Sequence, residues 1–226
     1  EDSFFEVHEL FAPNIVCGFI RMDGATVGVV ANQPNYLAGA LDADAADKAS
    51  RFIRFCDAFN IPLLTLMDVP GCLPGVEGEH SGAVRHGAKL FYAYAEATIP
   101  MVTVVLRKAY GGGYVSLGSR HIGADYVFCL PTAEIAVMGP ESAVSVLYHK
   151  EIKAIVENGG DVEAFKKEKA EEYRREYANP YEAGAKGYID DVVKPQDVRG
   201  RVIDAFASLS GKAVDRPNKK HGLTPT

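Results

Sequence analysis

Three consecutive glycines, Gly111, Gly112 and Gly113, are the feature of the sequence best suited to chemistry. They lie between a buried apolar run, residues 101–106, and a short helical pattern that ends near Ser119. Glycines let the backbone turn tightly and approach a ligand, and the first N–H groups of a helix have no partner inside it. Such donors favour an oxygen that carries negative charge. The run therefore predicts a backbone oxyanion hole, with a plain strand-to-helix turn as the alternative.

Other chemistries that use glycine or nucleophilic side chains lack their signatures. No Gly-Lys-Ser/Thr ending follows the glycines, and the Gly-x-Gly-x-x-Gly order of a dinucleotide site is missing. Ser116 and Ser119 lack a Gly-x-Ser-x-Gly setting, and Cys72 lacks any local signature. His80 and His86 have no third ligand at metal-like spacing, so we expect no metal site. The sequence indicates backbone electrostatics instead of attack by a side chain.

A second loop of glycine and proline, residues 68–75, follows an apolar run at residues 62–67 that is typical of a strand buried on both faces. Loops that follow parallel strands meet at one edge of the sheet, where ligands of α/β proteins bind. His86, at the start of the next helix, fits an ordinary surface histidine better than a base. Glu134 and Glu141 flank a late strand and are weaker acid–base candidates.

The remaining patterns predict a mainly parallel α/β sheet covered by helices, because strands alternate with helices along the chain. Asp23-Gly24 indicates a hairpin turn between two strand-like runs, and Ser81 is a candidate helix cap. The predicted elements are a hairpin at 14–31, helices at 42–60 and after Ser81, strands at 101–106, 125–130, 134–137 and 190–193, surface helices at 150–178 broken at Gly159-Gly160, and a helix at 196–209.

Composition sets the class of protein. The chain has 226 residues, 47% of them hydrophobic, and a net charge of -6, which argues against a nucleic-acid surface. No apolar run reaches the ~18 residues of a membrane-spanning helix. The four cysteines form no Cys-x-x-Cys pair, which indicates reduced thiols and a cytoplasmic protein. We expect an entry segment at 1–13, one domain at 14–210 with a helical excursion at 150–178, and a polar, mobile tail at 211–226. Because residue 1 is Glu, we expect a piece of a longer protein.

Together these segments resemble the carboxyltransferase (beta) subunit of biotin-dependent acyl-CoA carboxylases such as propionyl-CoA carboxylase, in its carboxyl-terminal half. The matching stretches occur in family order at residues 4–11, 27–34, 51–59, 68–71, 85–90, 92–97, 107–112, 123–125, 136–139 and 183–193. The resemblance implies a crotonase-like fold of repeated ββα units, and it favours the oxyanion hole over the plain turn at the glycines.

The resemblance also implies roles for residues and partners. Gly112 and Gly113 would offer N–H groups to the ureido oxygen of biotin when carboxybiotin releases carbon dioxide, and no side-chain base is required. The residues that would shape the biotin pocket are Pro70, Gly71, Arg85, Tyr110, Gly111, Tyr114 and Val115. The missing amino-terminal half would bind the acyl-CoA thioester, in a hexamer whose active sites lie between neighbouring subunits. A biotin carboxyl carrier protein and a biotin carboxylase would be partners, in the cytosol or the mitochondrial matrix of a eukaryote.

Two departures from the family pattern leave the shape of the pocket open. Family members commonly have a small residue such as Ala at Gly113 and an aromatic one at Cys72, and Val115 leaves the acyl chain unspecified. The same half-reaction also serves a decarboxylase or transcarboxylase that acts on malonyl-type thioesters. A non-catalytic assembly module is a further alternative. A crotonase-type hydratase is disfavoured, because residues 113–119 contain no carboxylate.

Overall fold

The computed structural model describes residues 3–218 and 222–225, and within these ranges one sheet carries helices on both faces. The strands are β1 Phe5–Val7, β2 Ile15–Met22, β3 Ala25–Asn32, β4 Leu63–Val69, β5 Met101–Tyr110, β6 Tyr126–Cys129, β7 Glu134–Ala136 and β8 Asp191–Val192. The α-helices are α1 Ala43–Ala58, α2 Val76–His80, α3 Ala83–Glu96, α4 Gly111–Ser116, α5 Pro140–Leu147, α6 His149–Glu157, α7 Val162–Glu176, α8 Pro180–Ala185 and α9 Val198–Ser208.

The sheet has the order β1-β2-β3-β4-β5-β6-β8, and β7 pairs with the end of β5. β1, β2 and β3 are antiparallel neighbours, whereas β3 onward pair in parallel. The predicted hairpin is confirmed: Met22 pairs with Ala25, and the two turn residues Asp23 and Gly24 both have positive φ, 48° and 79°. Two positive φ values match the primed turns that follow the twist of a hairpin.

Both faces of the central strands are buried. On β4, Leu63 and Met67 face one apolar cluster and Leu64 faces the other, as the alternation of side chains along a strand requires. α1 and α3 pack on each other and cover the first face, while α9 covers the second. The sheet therefore presents only its edges and the ends of its strands to ligands.

A buried lysine holds the entry segment to the domain. Lys48, on α1, is 3% exposed and its Nζ donates hydrogen bonds to the backbone oxygens of Phe11 at 2.7 Å and Ile15 at 2.8 Å. α1 itself begins where the Asp42 side chain accepts from the Ala45 N–H, a standard N-cap. The loop between β1 and β2 is thus fixed by side-chain contacts, although it contains no regular structure.

Two boundaries differ from the sequence prediction. Ser81 is not the N-cap of α3: it is the C-cap of α2, where its hydroxyl donates to the Gly78 carbonyl at 2.7 Å, and α3 starts after Gly82 in the left-handed region. α2 was missed because five residues are too few to show a periodic pattern. β5 runs to Tyr110, four residues beyond the predicted end, because Ala109 pairs with Val69 on β4 and Ile135 on β7.

The helical excursion starts earlier than predicted, at α5, and runs through α7. The predicted break at Gly159-Gly160 is confirmed, since α6 ends at Glu157 and Asp161 caps α7 by accepting from the Ala164 N–H. No helix of residues 3–218 or 222–225 is long and apolar enough to cross a membrane. Of the predicted mobile tail, residues 219–221 and 226 lie outside the described residues, as do residues 1 and 2 of the entry segment.

Candidate active site

The glycine run lies at the carboxyl edge of the parallel strands, where the sequence placed it. β5 ends at Tyr110, whose extended backbone precedes α4. Gly111 has a φ of +54°, and a Cβ on it would lie 2.7 Å from the Val137 carbonyl oxygen. The positive φ disfavours a side chain at this position and the Val137 oxygen leaves no space for one, so the turn from strand to helix requires glycine.

Gly112 and Gly113 differ sharply in their surroundings. A Cβ on Gly112 would meet nothing within 4 Å, and the residue is exposed. A Cβ on Gly113 would lie 2.8 Å from a methyl group of Val69 and 2.9 Å from Gly71 Cα. As first-turn residues, both have N–H groups without acceptors in α4. Gly112 thus faces open space, and Gly113 lets the loop after β4 pack against the glycine turn.

A cavity of about 890 Å³ opens beside this turn. Its volume lies in the ~300–1,000 Å³ range of small-molecule sites. The glycine side of the cavity is formed by Gly111, Gly112, Tyr114 and Val115. The other walls come from the end of β7, the end of α5, α7, α8 and Tyr188; they include Val137, Leu147, Tyr148, Lys169, Glu172, Tyr173, Glu176, Tyr177, Glu182 and Lys186. Four of the predicted site residues therefore share one concave surface.

Aromatic rings line the inner end of this cavity. The Tyr114 and His121 rings lie 5.7 Å apart, and the His121 and Tyr188 rings 4.7 Å apart, both edge to face. Burial raises the pKa of the Tyr114 phenol to about 12, and the hydroxyl lies 3.5 Å from the Tyr188 carbonyl oxygen. Tyr114 is therefore a neutral phenol near pH 7, suited to shape the wall and not to take a proton.

The two candidate carboxylates next to the late strand are held by a cation. Glu134 pairs with Arg174 of α7, with Nε 3.3 Å from Oε1, and Glu141 pairs with the same guanidinium. The Tyr110 hydroxyl donates to the other oxygen of Glu134. Burial and this carboxylate raise the pKa of the Tyr110 phenol far above its usual range. Nothing in the sequence distinguishes Arg174 from the other charges at 150–178, so sequence analysis missed it.

The cavity lining does not include Tyr110, Gly113, Pro70 or Gly71. Gly71 packs against the turn at the position that a Cβ on Gly113 would occupy. Arg85 is exposed and lines a separate groove of about 850 Å³ with Arg51, Arg54 and Lys89, among others. The structure does not bring Arg85 to the glycines, and direct contact of Pro70, Gly71 and Arg85 with biotin stays a prediction.

His86 takes part in an ion-pair cluster, in agreement with the surface interpretation. Its Nδ1 lies 2.9 Å from Asp47, and Lys89 Nζ lies 3.0 Å from the same carboxylate. Burial opposes ionisation of Asp47, but the hydrogen bonds of His86 and Lys89 outweigh it and lower the pKa of Asp47. Among the described residues no group of three or more His, Cys, Asp or Glu could hold a metal ion.

A mainly parallel sheet with a glycine-led helix and a cavity at its carboxyl edge defines an α/β protein with a candidate ligand site at that edge. Comparison with known proteins identifies the family. The family described as the carboxyl transferase domain matches residues 1–224. The chain belongs to this family.

Two curated relatives and one solved structure show the extent of the match. The propionyl-CoA carboxylase beta chain of Saccharopolyspora erythraea is 55% identical over 225 residues, 100% of this chain and 41% of that protein. The methylmalonyl-CoA decarboxylase subunit alpha of Propionigenium modestum is 52% identical over 223 residues, 99% of this chain and 42% of that protein. The transcarboxylase 12S hexamer, crystallised with methylmalonyl-coenzyme A and methylmalonic acid, superposes with a TM-score of 0.90 at 51% identity, over 99% of this chain and 42% of that chain.

These matches confirm the predicted crotonase-like fold and the resemblance to carboxyltransferase subunits. The chain spans less than half the length of the curated relatives it matches.

Proposed function

We propose that this chain supplies the biotin-side half of a carboxyltransferase active site, in which a carboxyl group moves between carboxybiotin and an acyl-CoA. The observation that carries the proposal is Gly112, an exposed glycine in the first turn of α4 that lines a cavity of about 890 Å³. The missing half of the protein would bind the acyl-CoA thioester.

The residues present fit the ureido ring of biotin. A Cβ on Gly112 would meet no atom of another segment within 4 Å, so the cavity side of this residue has room for a ligand. Tyr114 and Tyr188 supply flat apolar surface next to it. Carboxybiotin, when bound, supplies the carboxyl group and, after its release, a ring nitrogen that accepts the α-proton of the thioester.

The work of this chain is electrostatic. In the proposed transition state, negative charge would collect on the ureido oxygen, and the first-turn N–H groups of Gly112, which lines the cavity, and of its neighbour Gly113 would donate to it. The turn is fixed by the positive φ of Gly111 and by the packing of Gly113 on Gly71, so the donors need no reorganisation during the reaction. A fixed donor of this kind contributes about 2.7–4 kcal/mol of transition-state stabilisation.

The relatives support either direction of carboxyl transfer, to the acyl-CoA or away from it. Proteins over 50% identical to this chain include a propionyl-CoA carboxylase chain, a methylmalonyl-CoA decarboxylase subunit and a methylmalonyl-CoA carboxyltransferase subunit. The same oxyanion is stabilised in either direction, so a decarboxylase or transcarboxylase role stands beside the carboxylase role. The intact glycine turn disfavours an assembly module without catalysis.

The partners follow from the proposed reaction. A biotin carboxyl carrier protein would deliver the cofactor, and a biotin carboxylase would load it in the carboxylase case. We expect a homo-oligomer, since the similar transcarboxylase 12S is a hexamer. A cytoplasmic location fits the free cysteines, of which Cys17, Cys56 and Cys129 are buried.

The test uses the full-length protein and free biotin. We expect it to transfer the carboxyl group of labelled methylmalonyl-CoA or malonyl-CoA to biotin, and we expect residues 1–226 alone not to do so, because the acyl-CoA half is missing. The assay measures the amount of labelled carboxyl group that appears in carboxybiotin. Robust transfer by the 226-residue chain alone would contradict the division of the site, and no transfer by the full-length protein with either thioester would contradict the function.

A further inference from the structure

One guanidinium connects three elements around the cavity. Arg174 lies on α7; it pairs with Glu134 on β7 at 3.3 Å, with Glu141 on α5, and with Glu171 on α7 itself at 2.8 Å. Its side chain is only 31% exposed. The planar fork of arginine suits several carboxylates at once, which a lysine cannot match.

The link continues to the glycine turn. Glu134 also accepts the hydroxyl proton of Tyr110, the residue that precedes Gly111. The Tyr110 ring packs on the backbone at Gly139, where a Cβ would lie 3.2 Å from the ring edge. An unbroken chain of side-chain contacts therefore runs from α7 through β7 to the start of α4.

The same segment of α7 forms the cavity wall that faces the glycines. Tyr173 and Tyr177, one residue before and three after Arg174, both line the cavity, whereas Arg174 does not. The neighbouring helices α6 and α7 belong to an excursion with few buried residues: Ala170 is the one fully buried position of α7. Few side chains of α7 are buried, and the ion pairs of Arg174 add a link from this wall to β7 and α5.

We propose that Arg174 is a positioning residue that sets the distance between the α7 wall and the glycine turn, and so the fit of the cavity to biotin. The inference rests on the proposed function for the identity of the ligand. Arg174 touches no ligand itself; it acts through Glu134 and Tyr110 on one side and through the tyrosines of α7 on the other.

The experiment compares Arg174→Met with Arg175→Met in the full-length protein. Arg175 is the adjacent residue; its side chain is exposed and pairs with no described residue, so the two variants lose the same charge. With free biotin as the probe, we expect Arg174→Met to raise the KM for biotin about fivefold or more, the scale of coupling between contacting residues. The KM for methylmalonyl-CoA should change less than about twofold, and Arg175→Met should behave as wild type.

Rescue and coupling test the proposed route. Arg174→Lys should recover part of the biotin KM, because an ammonium can pair with one carboxylate. Tyr110→Phe removes the hydroxyl that Glu134 accepts, so its effect combined with Arg174→Met should be smaller than the product of the two single effects. If the double variant raises the KM by the full product of the two single effects, the two residues act independently, and the route through Glu134 is overturned.

Hydrogen exchange provides a readout that needs no activity. The amides of Gly111–Ser116 should exchange faster in Arg174→Met than in Arg175→Met. If full-length wild type transfers nothing to biotin, the proposed function fails, yet exchange still decides whether Arg174 holds the turn. Equal exchange in the two variants, or equal changes of KM for both substrates, would overturn the positioning role. If Arg174→Met does not fold, the same comparison with Arg174→Lys decides it.

Discussion

Replacing Gly113 by Val perturbs the glycine turn at its tightest contact. The new Cβ would lie 2.8 Å from a Val69 methyl group and 2.9 Å from Gly71 Cα, where 3.4 Å is the lower end of ordinary contact. The contacting atom of Gly71 belongs to the backbone, which moves less readily than the end of a flexible side chain. The turn and the loop after β4 must therefore separate by about half an ångström, and the two methyl groups of Val enlarge the conflict.

The size of the effect follows from what the turn does. Moving an aligned donor out of hydrogen-bond range removes about 2.7–4 kcal/mol of transition-state stabilisation, a loss of roughly 10²–10³ in kcat. Overpacking of a buried site costs about 1–3 kcal/mol of stability. We therefore expect Gly113→Val to remain folded while its carboxyl transfer falls by about two orders of magnitude or more.

The assay measures kcat for carboxyl transfer to free biotin in the full-length protein, together with the free energy of unfolding in urea. Gly200→Val is the matched control, because a Cβ on this exposed residue of α9 meets nothing within 4 Å. Cys72→Ala, at an exposed thiol, should also change little. A folded Gly113→Val protein with normal turnover would refute the oxyanion hole, and loss of turnover in Cys72→Ala alone would point to a thiol mechanism.

Three further substitutions separate binding from stability. Gly112→Ala has space for its methyl group, so thermal denaturation should show a gain of about 1 kcal/mol, while the methyl enters the cavity and raises the KM for biotin; an unchanged KM would contradict the placement of the ligand. Lys48→Met removes the donor to the Phe11 oxygen and to the buried Ile15 oxygen and should cost about 1–3 kcal/mol in urea unfolding, whereas a neutral result would show that the entry segment is held otherwise. Because the pKa of Asp47 is lowered in the folded protein, its ionised form stabilises the fold at pH values above its ordinary pKa of 3.8, and this stability is lost as the pH falls through the lowered pKa. Asp47→Asn should therefore have a smaller free energy of unfolding than wild type near pH 7 and should lose less of it on acidification. The measurement is the pH dependence of the free energy of unfolding. An identical acid response of wild type and Asp47→Asn would remove Asp47 from this account.

Local patterns predicted the elements that carry the site. The run at 62–67 indicates a strand buried on both faces, and the structure has Leu63 and Leu64 in opposite clusters. The glycines after an apolar run predict a tight turn at the carboxyl edge, because glycine adopts a positive φ such as that of Gly111 without the steric cost that a side chain adds. These features depend on neighbours along the chain, so the sequence contains them directly.

Contacts between distant segments were not accessible in this way. Arg174 lies 40 positions from Glu134 and in a run where charges of both signs alternate, so no pattern favours its pairing over others. Arg85 follows the loop after β4 in sequence, yet the direction of α3 places it in another groove. Ser81 has the right residue type for a cap, but the preceding short helix α2 takes its hydroxyl.

The central claim is that the N–H groups of Gly112 and Gly113 bind the ureido oxygen of biotin. A crystal or cryo-EM structure of the full-length protein with biotin tests it most directly. We expect the ureido oxygen within about 2.7–3.1 Å of both backbone nitrogens, in the cavity beside Tyr114. Biotin bound with its ureido group away from these two nitrogens, for instance in the groove at Arg85, would contradict it.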